Sequence, residues 1–433
     1  MSKKRYPLLA LVLVIAVLLA ACAPVTPAAA PTAAPTQAPA GPSGDLEIFS
    51  WWTAGGEAQG LEAMLKIFQA QYPNVNVINA TVAGGAGVNA RAVLATRMQG
   101  GQPPGAFQVH AGHELIDTYA VSGQMEPLTF LYEEEGWLDL YPQDLINILS
   151  YNGEIWSVPV NIHRANVMWY NKAVFADNNL QPPKTMDEFF TVAEKLKAAG
   201  IIPLALGESW TEVHLFETVL LGTLGPDKYI GLWSGATDWK SAEVTKALEN
   251  YDRMLTYVNE DFAALTWDQA TQLVIDGTAA MNVMGDWAEG YFKSKGWTPG
   301  VEFGWAASPG STGAFDALSD SFGLPKNAPN RDAVLAWLKI CGSKAGQDAF
   351  NPIKGSIPAR TDGDRSLYDV YLQSAMDDFA SNKIVPSLAH GAAAAPSWQQ
   401  AITEAVGLFI ANRDVAVFQE TLVTACTTAG VCK

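Results

Sequence analysis

Apolar and polar positions follow two alternating rhythms along most of the chain. Leu46-Glu47-Ile48-Phe49-Ser50-Trp51-Trp52 is a short apolar run with the composition of a buried strand. After the Gly55-Gly56 turn, Leu61, Met64, Leu65 and Phe68 recur at helical spacing, and Tyr72-Pro73 stops the helix. Val75 to Val82 predicts a second strand, Val88 to Met98 a helix, and Gly105 to His110 a third strand. Strands alternating with helices predict a parallel α/β sheet covered on both faces.

Near Ile155 to Asn161 the chain leaves this sheet, and Met168-Trp169-Tyr170-Asn171-Lys172 opens a second region. There Thr185 is the expected N-cap of a helix, with Glu188 three residues on completing a capping box. A helix-rich stretch runs to about Trp297. Phe303 to Gly310 predicts a strand entering a Gly/Ser/Thr turn, Asp320 to Lys326 another strand, and Arg331 to Cys341 a helix. No internal repeat is evident.

The first 44 residues follow neither rhythm. Lys3, Lys4 and Arg5 precede an apolar run from Leu8 to Ala21, too short for a membrane span of about 20 residues and suited to a signal peptide over residues 1–21. The run ends in Leu19-Ala20-Ala21-Cys22, which resembles a bacterial lipobox and makes Cys22 the expected lipidation site. Residues 22–44 are almost entirely Ala, Pro, Thr, Gly, Ser and Gln and read as a solvated tether. The expected location is therefore extracytoplasmic, on a membrane through the lipid.

The net charge is −17, and loss of Lys3, Lys4 and Arg5 with the leader makes it three units more negative. That argues against a nucleic-acid partner, which needs a basic surface. Fourteen tryptophans against five histidines point instead to aromatic faces, which serve a core or stack on sugar C–H surfaces. Beyond Cys22, Cys341, Cys426 and Cys432 allow one disulfide and one free thiol, with the pairing open.

Several runs resemble the extracellular solute-binding proteins (family 1) of bacterial ATP-binding-cassette sugar importers. They include Phe49-Ser50-Trp51-Trp52, Trp156-Ser157-Val158-Pro159, Trp169-Tyr170-Asn171-Lys172 and the block Gly277 to Trp287. Further runs are similar to those of glucose, galactose and mannose-binding members: Gly84 to Arg91, Phe107 to Gly112, Val158 to Arg164, and Asn351 to Ser356. The resemblance implies a two-lobe periplasmic-binding-protein fold with a hinge and an interlobe ligand cleft. Lobe one would comprise 45–159 plus 311–357, and lobe two 160–310 plus 358–433. It also implies a monosaccharide ligand, an importer permease as partner, no cofactor and no catalysis, with the protein a monomer.

A neutral sugar needs flat aromatic faces for its C–H side and planar polar groups for its hydroxyls, in a preformed pocket. Trp51 and Trp52 end the first strand, where open α/β sheets bind ligands. Adjacent strand residues face opposite ways, so one belongs to the core and one to the cleft while the chain stays extended, and the two are not ranked. Gln108 and His110, two apart, share one face of the third strand. His113 makes His-x-x-His with His110, but no third ligand is suggested by spacing, so no metal is expected. His163 follows the first crossing and suits either the cleft or a hinge hydrogen bond. The resemblance adds Glu57 as a hydroxyl acceptor, Trp267 and Trp287 for stacking from lobe two, and Asp320, Lys354 and His390 as converging polar groups. Asp286 beside Trp287 is a candidate too, or a local helix cap.

Two other readings compete. A glycoside hydrolase would use Glu57 and Asp320 as its carboxylate pair. A receptor for an oligosaccharide, polyol or peptide would share the fold.

Overall fold

The computed structural model describes residues 41–432, so the leader, Cys22 and most of the tether lie outside the described residues. Two sheets organise the fold. In the first, Gly44–Ser50 lies between Val75–Thr81 and Ala106–His110 and parallel to both; Asp320–Gly323 and Ser157–Pro159 complete the order. In the second, the order is Phe303–Ala307, Val167–Asn171, Ala279–Val283, Ile202–Ala205.

The all-parallel expectation holds only for the first three strands. Asp320–Gly323 runs antiparallel to Ala106–His110 because the chain re-enters this sheet from the far side. The register sets Asp320 opposite His110 and Phe322 opposite Gln108, bringing residues over two hundred apart in sequence to one sheet end. The strand Ala314–Leu318, expected in lobe one, instead pairs with His163–Arg164 and Lys383–Pro386 in a separate three-stranded sheet. The Gly/Ser/Thr turn where the resemblance implied the start of lobe one leads directly into this strand. The next strand, Asp320–Gly323, is the one that rejoins the first sheet.

Three stretches meet where the sheets face each other. Val160 N–H donates to the Asp320 carbonyl at 2.9 Å, and Ile162 and Ile357 exchange backbone hydrogen bonds of 2.9 and 3.1 Å. Asn161, His163 and Asp320 thus ride on the crossing strands themselves.

Apolar periodicity accounts for the layers. Leu61, Met64 and Phe68 bury one face of the helix Gly55–Gln71, and Phe68 meets Trp337 edge to face at 5.9 Å. That core includes Leu46, Ile48, Phe107 and Phe322 and continues into Trp169 and Phe303 of the second sheet and Phe292 of the helix Trp287–Ser294. A second core gathers Phe189, Phe216, Tyr251, Met281 and Phe418. Thr185 caps the helix Met186–Ala198 through the Glu188 N–H, as expected; the Glu188 carboxylate reaches Lys184 N–H instead of the cap residue's own.

The lobes touch closely where the helix Trp287–Ser294 of the second meets the helices Gly55–Gln71 and Lys344–Lys354 of the first. A methyl at Gly56 would lie 2.5 Å from the Ile353 carbonyl oxygen and 2.9 Å from Gly290 Cα, so only hydrogen fits there. Cys426 and Cys432 form the disulfide left open by the sequence, and Cys341 is buried and unpaired. Among the described residues no helix is long and apolar enough to cross a membrane.

Candidate functional site

The C-terminal ends of the parallel strands and the start of the helix Gly55–Gln71 form one wall of a cavity of about 380 Å³; second-lobe residues form the other. Ten of the twelve residues singled out from the sequence line it: Trp51, Trp52, Glu57, His110, His163, Trp267, Trp287, Asp320, Lys354 and His390. Gln108 and Asp286 do not. Gln108 is spent behind the wall, its amide donating to Asp320 at 2.9 Å and its oxygen accepting from Trp51 N–H at 3.2 Å. Asp286, fully buried, makes no side-chain cap; it accepts from Arg164 N–H at 2.9 Å and bonds the Nδ1 side of His163.

Both Trp51 and Trp52 reach the cavity because the strand ends at Ser50 and the chain is no longer extended at these residues. Their settings still differ. Trp52 packs between Phe322 and Phe350, with ring centroids 5.6 and 4.7 Å away, while Trp51 lies 4.9 Å from the His110 ring. From the other lobe, Trp287 stands 5.3 Å from His163 and 5.1 Å from His390, and Lys354 Nζ lies 5.7 Å from its ring centre. Trp267 opens its own helix behind a Thr266–Gln269 capping box and packs on Tyr291.

The polar groups form two sets. Lys354 Nζ donates to Glu57 Oε1 at 2.8 Å, with both side chains nearly buried. Burial raises the Glu57 carboxyl above its ordinary range, and the Lys354 charge only partly offsets this. Asp320 accepts from Gln108 at 2.9 Å and Asn161 at 2.8 Å, with His163 Nε2 at 3.2 Å and His110 Nε2 at 3.8 Å. Burial favours its neutral form, yet His163, Lys354 and His110 hold it far below the usual carboxylate range. His163 lies between Asp286 and Asp320; burial lowers its pKa, but these carboxylates outweigh that and leave it raised.

The three cleft-lining histidines share a pattern: Nδ1 is engaged from behind. His110 Nδ1 lies 2.8 Å from Glu114, which also takes Arg91 at 2.9 Å. Burial raises Glu114, but His110 and Arg91 bring it below its ordinary value, so the carboxylate accepts and His110 Nδ1 carries the proton. His163 turns Nδ1 to Asp286, and His390 turns Nδ1 to Ser387 at 2.8 Å. His113 has no part in this: it is partly exposed and bonds Asp117.

Residues missed from the sequence include Glu208 and Trp210, which line the cavity from the second lobe with Trp210 Nε1 donating to Glu208 at 3.0 Å. A methyl at Gly85 of the first lobe would lie 2.2 Å from Trp210 Nε1, so the glycine loop closes directly on this pair. The helix Ser209–Leu224 is buried over most of its length, and nothing in its pattern marks Trp210 as different from core. Glu114, four residues after His110 at the start of a helical turn, carried a usable spacing signal. Among the described residues, His214, Glu217 and His390 place ligand atoms within 4.8 Å of one another. The Glu217 carboxylate already accepts from Ser387 and from two backbone N–H groups, so its lone pairs are engaged by the protein itself.

Residues 43–348 match the family described as bacterial extracellular solute-binding protein. An uncharacterized ABC transporter extracellular-binding protein of Pyrococcus horikoshii is 40% identical over 86% of this chain and 85% of its own. A probable sugar-binding periplasmic protein of Mesorhizobium japonicum is 35% identical, covering 84% and 89%. A xylose/arabinose-binding protein of Haloferax volcanii is 28% identical, covering 84% and 80%. In fold, the chain is similar to a bacterial solute receptor described as having an exclusive preference for β-D-galactopyranose, with TM-score 0.77 at 18% identity over 89% of this chain and 99% of that one. The chain belongs to the bacterial extracellular solute-binding protein family. Its fold is the two-lobe α/β fold expected from the sequence.

Proposed function

We propose that the protein is the sugar receptor of an ATP-binding-cassette importer, and that its ligand is a single monosaccharide of the glucose, galactose or mannose type. The observation that carries this reading is the pairing of indole faces with fixed hydroxyl-matching groups in one small cavity. Trp51, Trp267 and Trp287 surround Glu57, Lys354, Asp320, His110 and His390. At about 380 Å³ the cavity sits near the lower end of the range of about 300–1,000 Å³ for ligand pockets. The names of relatives, a probable sugar-binding protein and a xylose/arabinose-binding protein, support a sugar ligand. Asp320, ringed by donors, is held as an acceptor, which suits recognition of a sugar hydroxyl.

The ligand would bind as the lobes hinge about 159–163, 318–320 and 357, and the closed form would dock on the permease. The acyl chain on Cys22 would hold the receptor at the outer face of the membrane. Calorimetric titration against glucose, galactose, mannose, xylose, maltose, chitobiose and a tripeptide tests the ligand. Saturable binding of at least one hexose, with disaccharides weaker, is expected. Binding of disaccharide or peptide alone would overturn it.

A further inference from the structure

Among the three cavity histidines backed at Nδ1, His390 alone is backed through a relay. Ser387 Oγ lies 2.8 Å from His390 Nδ1 and 3.0 and 3.2 Å from the two Glu217 oxygens. Glu217 Oε2 also accepts from Leu388 N–H at 2.5 Å and Ala389 N–H at 2.9 Å. An ionised carboxylate can only accept, and a serine hydroxyl has one proton. That proton therefore goes to Glu217, and Ser387 has only lone pairs left for the imidazole. We infer that Glu217, acting through Ser387, holds His390 as the neutral tautomer protonated on Nδ1, so that Nε2 faces the cleft as an acceptor for a ligand hydroxyl.

Three further observations agree. His390 is fully buried from bulk solvent yet lines the cavity, and its Nε2 meets no hydrogen-bond partner among the described residues. Burial, then His110, His214 and His163, push its pKa well below the ordinary value, so the ring is neutral and the choice of tautomer matters. The groups facing Glu217 are His214 on its own helix, Asp316 on the strand Ala314–Leu318, Tyr229 on the helix Pro226–Ser234, and the Ser387–His390 loop. None of these supplies a cation that would compete for the carboxylate: His214 is held neutral by burial, and burial with Glu217 raises Asp316 well above the usual carboxylate range.

Glu217 is thus a positioning residue, and Glu217→Gln reverses the polarity of the relay. The Gln oxygen can keep both backbone N–H groups, its NH₂ then donates to Ser387, and the Ser387 proton turns to His390 Nδ1. The ring must move its own proton to Nε2 and present a donor to the cleft. This inference rests on the cleft being the ligand site, but its first test needs no ligand. In the ¹⁵N-histidine-labelled chain, with His390 assigned among five histidines by His390→Gln, long-range imidazole spectra report the tautomer. They are taken at pH 8.5, above the value of about 7 to which burial raises Glu217. The expected result is a protonated Nδ1 and a bare Nε2 in the wild type, reversed in Glu217→Gln. A wild-type His390 protonated on Nε2 overturns the inference, as does a folded Glu217→Gln with an unchanged tautomer. If Glu217→Gln does not fold, Ser387→Ala should lose the tautomer preference and Ser387→Thr restore it; the same preference in all three overturns it equally. In calorimetry with the best-bound hexose, reversal should weaken binding by about tenfold or more. Failure of every sugar to bind the wild type would instead strike the proposed function and leave the tautomer result standing.

Discussion

The Glu57–Lys354 pair allows the ligand role and the structural role of one interaction to be separated. Lys354 is 2% exposed and bonds Glu57 at 2.8 Å. Lys354→Met keeps the length of the side chain and removes the ammonium, leaving a buried carboxylate whose pKa burial already raises. Stripping one partner from a buried pair costs about 3–5 kcal/mol. Because Glu57 can take up a proton and relax, a loss of about 3 kcal/mol is expected, measured by urea denaturation. Glu57→Gln combined with Lys354→Met removes both charges, and neutral replacement of a buried pair is often close to neutral for stability. The double variant should therefore recover most of the lost stability. Sugar affinity should not recover. Each charged group that meets a hydroxyl contributes about 1.5–3 kcal/mol, so the double variant should bind at least a hundredfold more weakly by calorimetry. If affinity returns along with stability, the pair supports the wall of the cleft and touches no ligand. If Lys354→Met binds sugar as the wild type does, the site assignment fails at its most buried cation.

Other outcomes follow from the same geometry. Gly85→Val would drive a side chain into Trp210, so small-angle scattering should show sugar-dependent compaction in the wild type and little in the variant; equal compaction would mean that the glycine loop does not meet the second lobe on closure. Burial depresses His214 to about 4, so between that value and about 6.5 the unfolded chain binds the extra proton and stability rises with pH. Through this residue the protein should be about 2 kcal/mol less stable at pH 5 than at pH 7; denaturation of His214→Asn should show that component removed, and an unaltered pH dependence would refute it. Cys22→Ala should abolish fatty-acid labelling and release the protein from membranes, while retained labelling would place any acyl group elsewhere.

Much of the architecture was legible because its signals are local. The strand Gly44–Ser50, the helix Gly55–Gln71 and the Thr185 cap all follow from apolar spacing and N-cap chemistry within a few residues. The site was legible differently. His110 shows up through its place at a strand end, but Asp320 and Lys354 carry no local mark and come only from resemblance to a family. What brings Asp320 to the cavity is register, which places it against His110 across two lobe crossings. Gln108 stands off the cavity lining for a related reason: sharing a strand face with His110 does not show which neighbour claims its amide, and Asp320 does. Trp210 and the Glu217–Ser387 relay were illegible because a buried helix reads as core at every position, and only the fold shows which of its faces a cleft histidine occupies.

On the proposed function, indole faces and fixed polar groups of both lobes close around one sugar ring. A crystal structure with the best-bound hexose tests this most directly. It should show one pyranose between Trp287 and the first-lobe wall, with hydroxyls within hydrogen-bond reach of Lys354, Asp320 and His390. A sugar seated outside this cavity, or one whose hydroxyls meet only water there, would contradict it.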